Sequence, residues 1–197
     1  NPRIVRVGMT GKARESEMRV MVISTPVFKL GPPLGAVGYS GLEVLAWQIA
    51  KGLAEKGHQV SLVAPYGSTC PNVEMICCGA ERSCDEKTFY SKYWQELPKQ
   101  DCIIDHSWQS WSFVLKQEGR LKAPVLKVCH APIDTMFQSL PEVDKPCFVC
   151  ISQDQANHFE ALFSRTAKVC RNGVDLDFYK PLGLARSGRF LFLARFS

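Results

Sequence analysis

Short apolar runs alternate along this chain with stretches in which apolar residues recur at helical spacing. The runs predict strands at 18–24, 59–64, 73–77, 102–105, 125–129, 146–151 and 167–170. The stretches between them predict helices at 41–56, 87–96, 110–118 and 153–163. Strands that are apolar throughout and separated by helices are typical of a parallel sheet covered on both faces. The pattern therefore predicts an α/β fold, a Rossmann-like parallel sheet with helices on both faces.

The two ends of the chain depart from this alternation. Residues 1–17 are polar, carry mixed charge and lack periodicity, so we expect the fold to begin at Met18, after an extension. Residues 189–194 predict one more strand, just before the sequence stops at Ser197. The alternating region between them is long enough for one full domain.

Composition and charge narrow the class of partner. Hydrophobic residues make up 46% of the chain and charged residues 22%, with a net charge of +5 that forms no basic run. This excess of positive charge suits an anionic small ligand or a membrane surface, and the lack of a basic run disfavours nucleic acid. No stretch approaches the roughly 18 apolar residues of a membrane-spanning helix. We therefore expect a cytoplasmic protein, with peripheral membrane contact as an open alternative.

The nine cysteines are not spaced as a metal cage. Cys147 and Cys150 fall on one predicted strand, where their thiols would point to opposite faces. Most of the cysteines are expected to be small buried hydrophobic residues. A disulfide remains an alternative for a group that lies close together in sequence: Cys70, Cys77, Cys78 and Cys84.

A long loop rich in glycine and proline joins the first predicted strand to the first helix. Ligands of such sheets bind at the carboxyl ends of the strands, where this loop begins. Gly35, Gly38 and Gly41 would let backbone approach a ligand closely, and the helix start would offer N–H groups to an anion. The spacing fits neither the dinucleotide fingerprint nor a P-loop. The alternative is a surface loop whose glycines only make turns.

Polar residues also follow two later strands. His130 comes directly after the strand at 125–129, where it could donate to a substrate hydroxyl or accept its proton. Its alternative is a structural contact to a loop carbonyl. Asp105, His106 and Trp108 follow the strand at 102–105, and an aromatic ring beside polar groups suits a sugar face or an acyl chain. The alternative is a tryptophan that packs a helix onto the sheet.

Six segments in order resemble the retaining glycosyltransferases of family 4, which have the GT-B fold. Gly38-Tyr-Ser-Gly-Leu-Glu43 matches that family's Tyr-Gly-Gly-x-Glu element. Lys56-Gly-His-Gln-Val60 matches its Arg-Gly-His-x-Val element, and Asp101-Cys-Ile-Ile-Asp-His106 matches its Asp-x-Ile-x-x-His element. Cys150-Ile-Ser152 matches its Ile-Ser pattern, and Arg171-Asn-Gly-Val-Asp175 matches its Asn-Gly-Val-Asp element. Phe190-Leu-Phe-Leu-Ala-Arg195 matches the strand that opens its second domain. Ser40 and Ala194 stand where that family has glycine, and Arg171 stands where it has proline.

The resemblance implies two Rossmann-like domains that face each other across a cleft. It divides this chain into an extension at 1–17, an N-terminal, acceptor-side domain at 18–188, and the start of a donor-binding domain at 189–197. The implied reaction moves a hexose, with retention, from a nucleoside-diphosphate sugar to a sugar, lipid or small-molecule acceptor. It implies no cofactor and no divalent metal. Without the rest of the donor-binding domain, the 197 residues are expected to fold but not to catalyse transfer.

Carried over by position, the resemblance also assigns site residues. Gly38, Ser40 and Gly41 would bring backbone N–H groups to the donor, and Arg195 would bind its diphosphate. His130 would lie beside the reacting sugar as the catalytic residue. Asp105, His106 and Trp108 remain the candidates for acceptor binding. Two other classes of function stay open, a non-catalytic binding module and a GT-B sugar-nucleotide epimerase.

Overall fold

A computed structural model describes residues 17–32, 41–78, 99–137, 147–176, 180 and 183. Its strands are β1 (Arg19–Ile23), β2 (Gln59–Pro65), β3 (Glu74–Cys78), β4 (Cys102–Asp105), β5 (Val125–Cys129), β6 (Cys147–Cys150) and β7 (Lys168–Val169). Its helices are α1 (Gly41–Glu55), α2 (Trp111–Gln117), α3 (Ile133–Met136) and α4 (Gln153–Phe163).

The strands form one parallel sheet in the order β3-β2-β1-β4-β5-β6-β7. β1 pairs with β2 on one side and with β4 on the other, so the direction of winding reverses between β1 and β4. In open α/β sheets this reversal opens a crevice at the carboxyl ends of the strands, where ligands bind. The register sets Ile23 of β1 level with Asp105 of β4 at that edge.

Side chains from both faces of the sheet are buried, which explains why the strands read as continuous apolar runs. Met21 and Ile23 belong to a core on one face, whereas Val20 and Val22 belong to a core on the other. The first core includes Phe148, whose ring centroid lies 4.8 Å from that of Phe159 and 5.4 Å from that of Phe113. In the second core, α1 contributes three buried apolar side chains: Ala46, Trp47 and Ala50.

The predicted fold class is confirmed. The predicted bounds of β4, β5 and α4 coincide with the observed ones, and the other elements that were predicted and are described differ by one residue at one or both ends. The short helix α3 was not predicted. The predicted helix at 87–96 and strand at 189–194 lie outside the described residues, as does Cys84. The remaining cysteines are all free thiols.

Two glycines near the end of α1 lead to opposite predictions. Gly57 has a φ of 91° and ends the helix: its N–H bonds the Ala54 carbonyl at 3.0 Å, and the His58 N–H bonds the Leu53 carbonyl at 3.2 Å. Gly52 lies inside α1, and a Cβ there would meet nothing within 4 Å. Gly57→Ala is expected to lower the free energy of unfolding by about 1 kcal/mol, because alanine resists positive φ.

Gly52→Ala is expected to raise the same quantity by up to about 1 kcal/mol, because alanine is the better helix former. Urea unfolding followed by circular dichroism measures both variants. Equal effects of the two substitutions would contradict the assignment of Gly57 as the left-handed end of the helix.

Candidate functional site

The carboxyl ends of β1 and β4 bring several buried polar residues together. Ser24 and Thr25 follow β1, and His106 follows β4. The His106 N–H donates to the Ile23 carbonyl at 3.0 Å, and the Ser24 N–H donates to the Val63 carbonyl at 3.1 Å, so the strands remain joined at this edge. All three polar side chains are at most 2% exposed. The polar side chains predicted at this edge of the sheet are therefore buried within the domain.

An ion pair joins the last residue of β4 to β5. The register sets Lys127 of β5 opposite Asp105 of β4, and both side chains are completely buried with 3.5 Å between Nζ and Oδ1. The Asp105 carboxylate also accepts hydrogen bonds from the Ser107 N–H at 2.7 Å and from the hydroxyls of Ser107 and Ser112. Burial opposes ionisation of Asp105, but the charge of Lys127 and these hydrogen bonds outweigh it and lower its pKa.

The imidazoles of His106 and His130, which follow β4 and β5, form a second pair. His106 Nδ1 lies 2.7 Å from His130 Nε2, and the ring centroids are 5.0 Å apart. Burial lowers the pKa of His106 to about 3, with further contributions from His130 and Lys127. Burial and then the charge of Lys127 lower the pKa of His130 to about 4. Both rings are therefore neutral near pH 7, and they share one hydrogen between the facing nitrogens.

The second ring nitrogen of each histidine, Nε2 of His106 and Nδ1 of His130, lies outside this shared bond. His106 Nε2 is buried and has no hydrogen-bond partner among the described residues, and the same holds for the Ser24 hydroxyl. His130 is half-buried, and its engaged nitrogen is Nε2, so Nδ1 is the one available to a ligand. A neutral imidazole held in this way can donate to, or accept from, a polar group without carrying a charge.

A second contact ties α1 to the loop after β1. Thr25 Oγ1 donates to Glu43, which lies in the first turn of α1 and is 3% exposed. Burial raises the pKa of Glu43, although hydrogen bonds from Thr25 and from its own backbone and that of Phe28 partly oppose the rise. The glutamate of the Gly38–Glu43 segment therefore anchors the start of α1, where Gly41 is the first helical residue, to the carboxyl end of β1.

The predicted site residues thus divide into three groups. Asp105, His106 and His130 come together at the carboxyl ends of β4 and β5, and Trp108 lies close to them in sequence with 46% of its surface exposed. Gly41 begins α1. Three others lie outside the described residues: Gly38, Ser40 and Arg195.

One residue of this edge, Lys127, is not among the residues predicted from the sequence. Lys127 was passed over because it sits inside an apolar run, and a lysine in the middle of a buried strand was the signal that could have revealed the ion pair. Ser152, which the sequence places in the Ile-Ser pattern after a strand, caps α4: its Oγ accepts from the Gln155 N–H at 3.1 Å. The described residues hold no cluster of three or more His, Cys, Asp or Glu side chains suited to a metal ion.

The hydropathy of the helices and the similarity of the sequence to known proteins bear on the class of protein. None of the described helices has the length and apolar character needed to cross a membrane. Searching curated protein sequences gave no match. The sequence profile described as Glycosyltransferase Family 4, however, matches residues 39–178. That segment contains α1, both histidines of the pair and the ion pair.

Solved structures with the same fold are similarly informative. The structure of Anabaena Alr3699/HepE in complex with UDP-glucose superimposes with a TM-score of 0.54 at 15% identity, covering 85% of this chain and 47% of that one. The complex of the same protein with UDP and glucose gives a TM-score of 0.52 at 17% identity, with the same coverage. The chain therefore spans about half the length of these structures. By its sequence profile and its GT-B, Rossmann-like sheet, the chain belongs to glycosyltransferase family 4.

Proposed function

We propose that this chain supplies the acceptor-side half of a retaining hexosyltransferase whose donor is a nucleoside-diphosphate sugar. The observation that carries the proposal is the neutral His106–His130 pair at the carboxyl ends of β4 and β5, within the segment that matches the family. A structural neighbour that binds UDP-glucose supports a uridine diphosphate hexose as the first donor to test. A second, donor-binding domain would complete the site, in keeping with the coverage of 47%.

His130 is the proposed catalytic residue. With Nε2 committed to His106, its Nδ1 would face the sugar and exchange a hydrogen bond with a hydroxyl near the anomeric carbon. A neutral ring suits this role, because a positive charge would oppose the positive charge that builds up on a sugar as its leaving group departs. The low pKa of His130, about 4, keeps the ring in that form at neutral pH.

The donor contacts are proposed for the start of α1 and its preceding loop. Gly38, Ser40 and Gly41 would place backbone N–H groups by the diphosphate, next to the positive end of a helix of 15 residues. Arg195 would add a positive charge that stabilises the departing diphosphate. Because these groups would neutralise the leaving charge, we propose that transfer needs no divalent metal, and activity that persists in EDTA would support this.

Acceptor binding is proposed for the loop after β4. Trp108 offers an exposed ring on which a sugar or an acyl chain could lie, and His106, whose buried Nε2 has no hydrogen-bond partner among the described residues, stands two positions before it. Asp105 is completely buried and engaged by Ser107, Ser112 and Lys127, which favours an indirect role in shaping this loop. The acceptor would be a sugar, a lipid headgroup or another hydroxyl compound.

Transfer from labelled UDP-glucose tests the proposal. The 197-residue chain should give no transfer, whereas the product of the complete reading frame should give a glycoside whose anomeric configuration, read by proton NMR, matches that of the donor. Other nucleoside-diphosphate hexoses would be screened in parallel. Transfer by the 197-residue chain alone, or a product of inverted configuration, would contradict the proposal.

Replacing His130 in that complete protein should have a large kinetic effect. His130→Ala is expected to lower kcat about 100-fold or more, since it removes a hydrogen-bonding group at the reacting sugar. His158→Ala is the matched control, because His158 lies on an exposed position of α4. A His130→Ala enzyme that retained full activity would remove His130 from the proposed site while leaving the transferase assignment intact.

A further inference from the structure

Lys127 holds the backbone on both sides of His106. Its Nζ donates to the Asp105 carbonyl at 3.4 Å and to the Ser107 carbonyl, the two residues that flank His106. The third acceptor is the Asp105 carboxylate, at 3.5 Å. The three N–H groups of the ammonium thus match three acceptors, all within one short segment after β4.

Stability alone does not account for such a group. The side chain of Lys127 is completely buried in the middle of β5, between apolar neighbours. A buried ion pair is often no more stabilising than apolar side chains of the same volume, because both charges lose their hydration. What the pair does provide is a fixed geometry, since it joins the end of β4 to β5 three residues before His130.

We propose that Lys127 is a positioning residue for glycosyl transfer, which holds the Asp105–Ser107 backbone so that His106 Nδ1 stays bonded to His130 Nε2. That bond engages Nε2 of His130 and so leaves Nδ1 as the nitrogen that meets the substrate. This role rests on the proposed function, because positioning matters only if His130 meets the reacting sugar. The geometry itself can be tested without any sugar.

Two effects of Lys127 on His130 can be separated by experiment. One is mechanical, through the backbone of residues 105–107. The other is electrostatic: the charge of Lys127 is, after burial, the next cause of the low pKa of His130. Asp105 and His106 also lie near, but Asp105 is held in the pair, and His106 is neutral above its pKa of about 3. A change in the titration of His130 when Lys127 is replaced therefore reports the electrostatic effect of Lys127.

The experiment is NMR of the four histidines in the 197-residue chain, recording the tautomer and titration of each imidazole. Lys127→Met leaves Asp105 as an unpaired buried charge, so a second variant, Lys127→Met with Asp105→Asn, removes both charges together. Lys116→Met is the matched control, since Lys116 also donates to two backbone carbonyls, those of Lys122 and Ala123, at 3.4 and 3.1 Å.

In the double variant we expect the titration midpoint of His130 to rise by about one pH unit or more. We also expect the bond between His106 Nδ1 and His130 Nε2 to be lost, seen as a change in the tautomer populations of the His130 ring, with His58 and His158 unchanged. Lys116→Met should alter none of the four. An unchanged tautomer and midpoint of His130 would overturn the proposal. Such a result would leave the transferase assignment standing, because no step of this experiment depends on transfer.

Discussion

Asp105→Asn is expected to lower the free energy of unfolding by about 3–5 kcal/mol, because it leaves the buried ammonium of Lys127 without a negative partner. The carboxylate also accepts hydrogen bonds from Ser107 and Ser112, which asparagine can replace only in part. Urea unfolding at pH 7 measures the loss. A substitution that broke only a hydrogen bond would cost about 1 kcal/mol.

Two further variants test whether the loss of stability comes from the unpaired charge of Lys127. Lys127→Met combined with Asp105→Asn should recover much of the lost stability, because neither charge then remains buried alone. Asp101→Asn breaks an ion pair at the amino ends of β1 and β4, at the edge of the sheet opposite Asp105. Arg19 and Asp101 lie 2.9 Å apart there, but their side chains are 54% and 41% exposed. That change should have a much smaller effect, because water screens exposed charges. Equal losses from Asp101→Asn and Asp105→Asn would contradict the burial of the inner pair.

Acid should destabilise the protein well above the pH at which carboxylates are protonated. His130 has a pKa of about 4 and His106 of about 3, against an ordinary value of 6.5. A histidine whose pKa is lowered by folding binds protons more readily in the unfolded chain. Stability is then fully present above pH 6.5 and declines as the pH falls toward 4. His130 alone would account for a loss of about 3 kcal/mol across this range.

Unfolding free energies at a series of pH values between 7 and 4 would show this decline. Replacing both histidines of the pair by glutamine should flatten the curve in that range, whereas His158→Gln should leave its slope unchanged. A wild-type curve that is flat down to pH 5 would contradict the burial of neutral histidines. Below pH 4 a separate loss should begin as Asp105, whose pKa is lowered in the fold, is protonated.

The sheet could be predicted from the sequence because its strands are buried on both faces. Cys102–Asp105 and Val125–Cys129 have the predicted bounds, since each is bounded by polar residues or proline. The helix Gln153–Phe163 was predicted with the observed bounds, and the structure adds a serine cap before it. By contrast, α3 covers only four residues, too few for a periodic pattern.

The site could be predicted only in part. His106 and His130 were recognisable as polar residues after strands, but their contact depends on β4 and β5 being neighbours in register, which no local pattern reveals. The same register creates the Asp105–Lys127 pair from residues 22 positions apart. Contacts of this kind are decided by tertiary packing, so the sequence could indicate the edge of the sheet but not the arrangement on it.

The central place of β1 also constrains how the chain can fold. Its first partner, β2, follows after one helix, but its other partner, β4, lies far along the sequence: Arg19 and Asp101, which join the start of β1 to that of β4, are 82 residues apart. During synthesis, one side of β1 must therefore stay open until β4 has emerged. Distant pairing of this kind slows folding. The crevice proposed to bind substrate is created by that same late step.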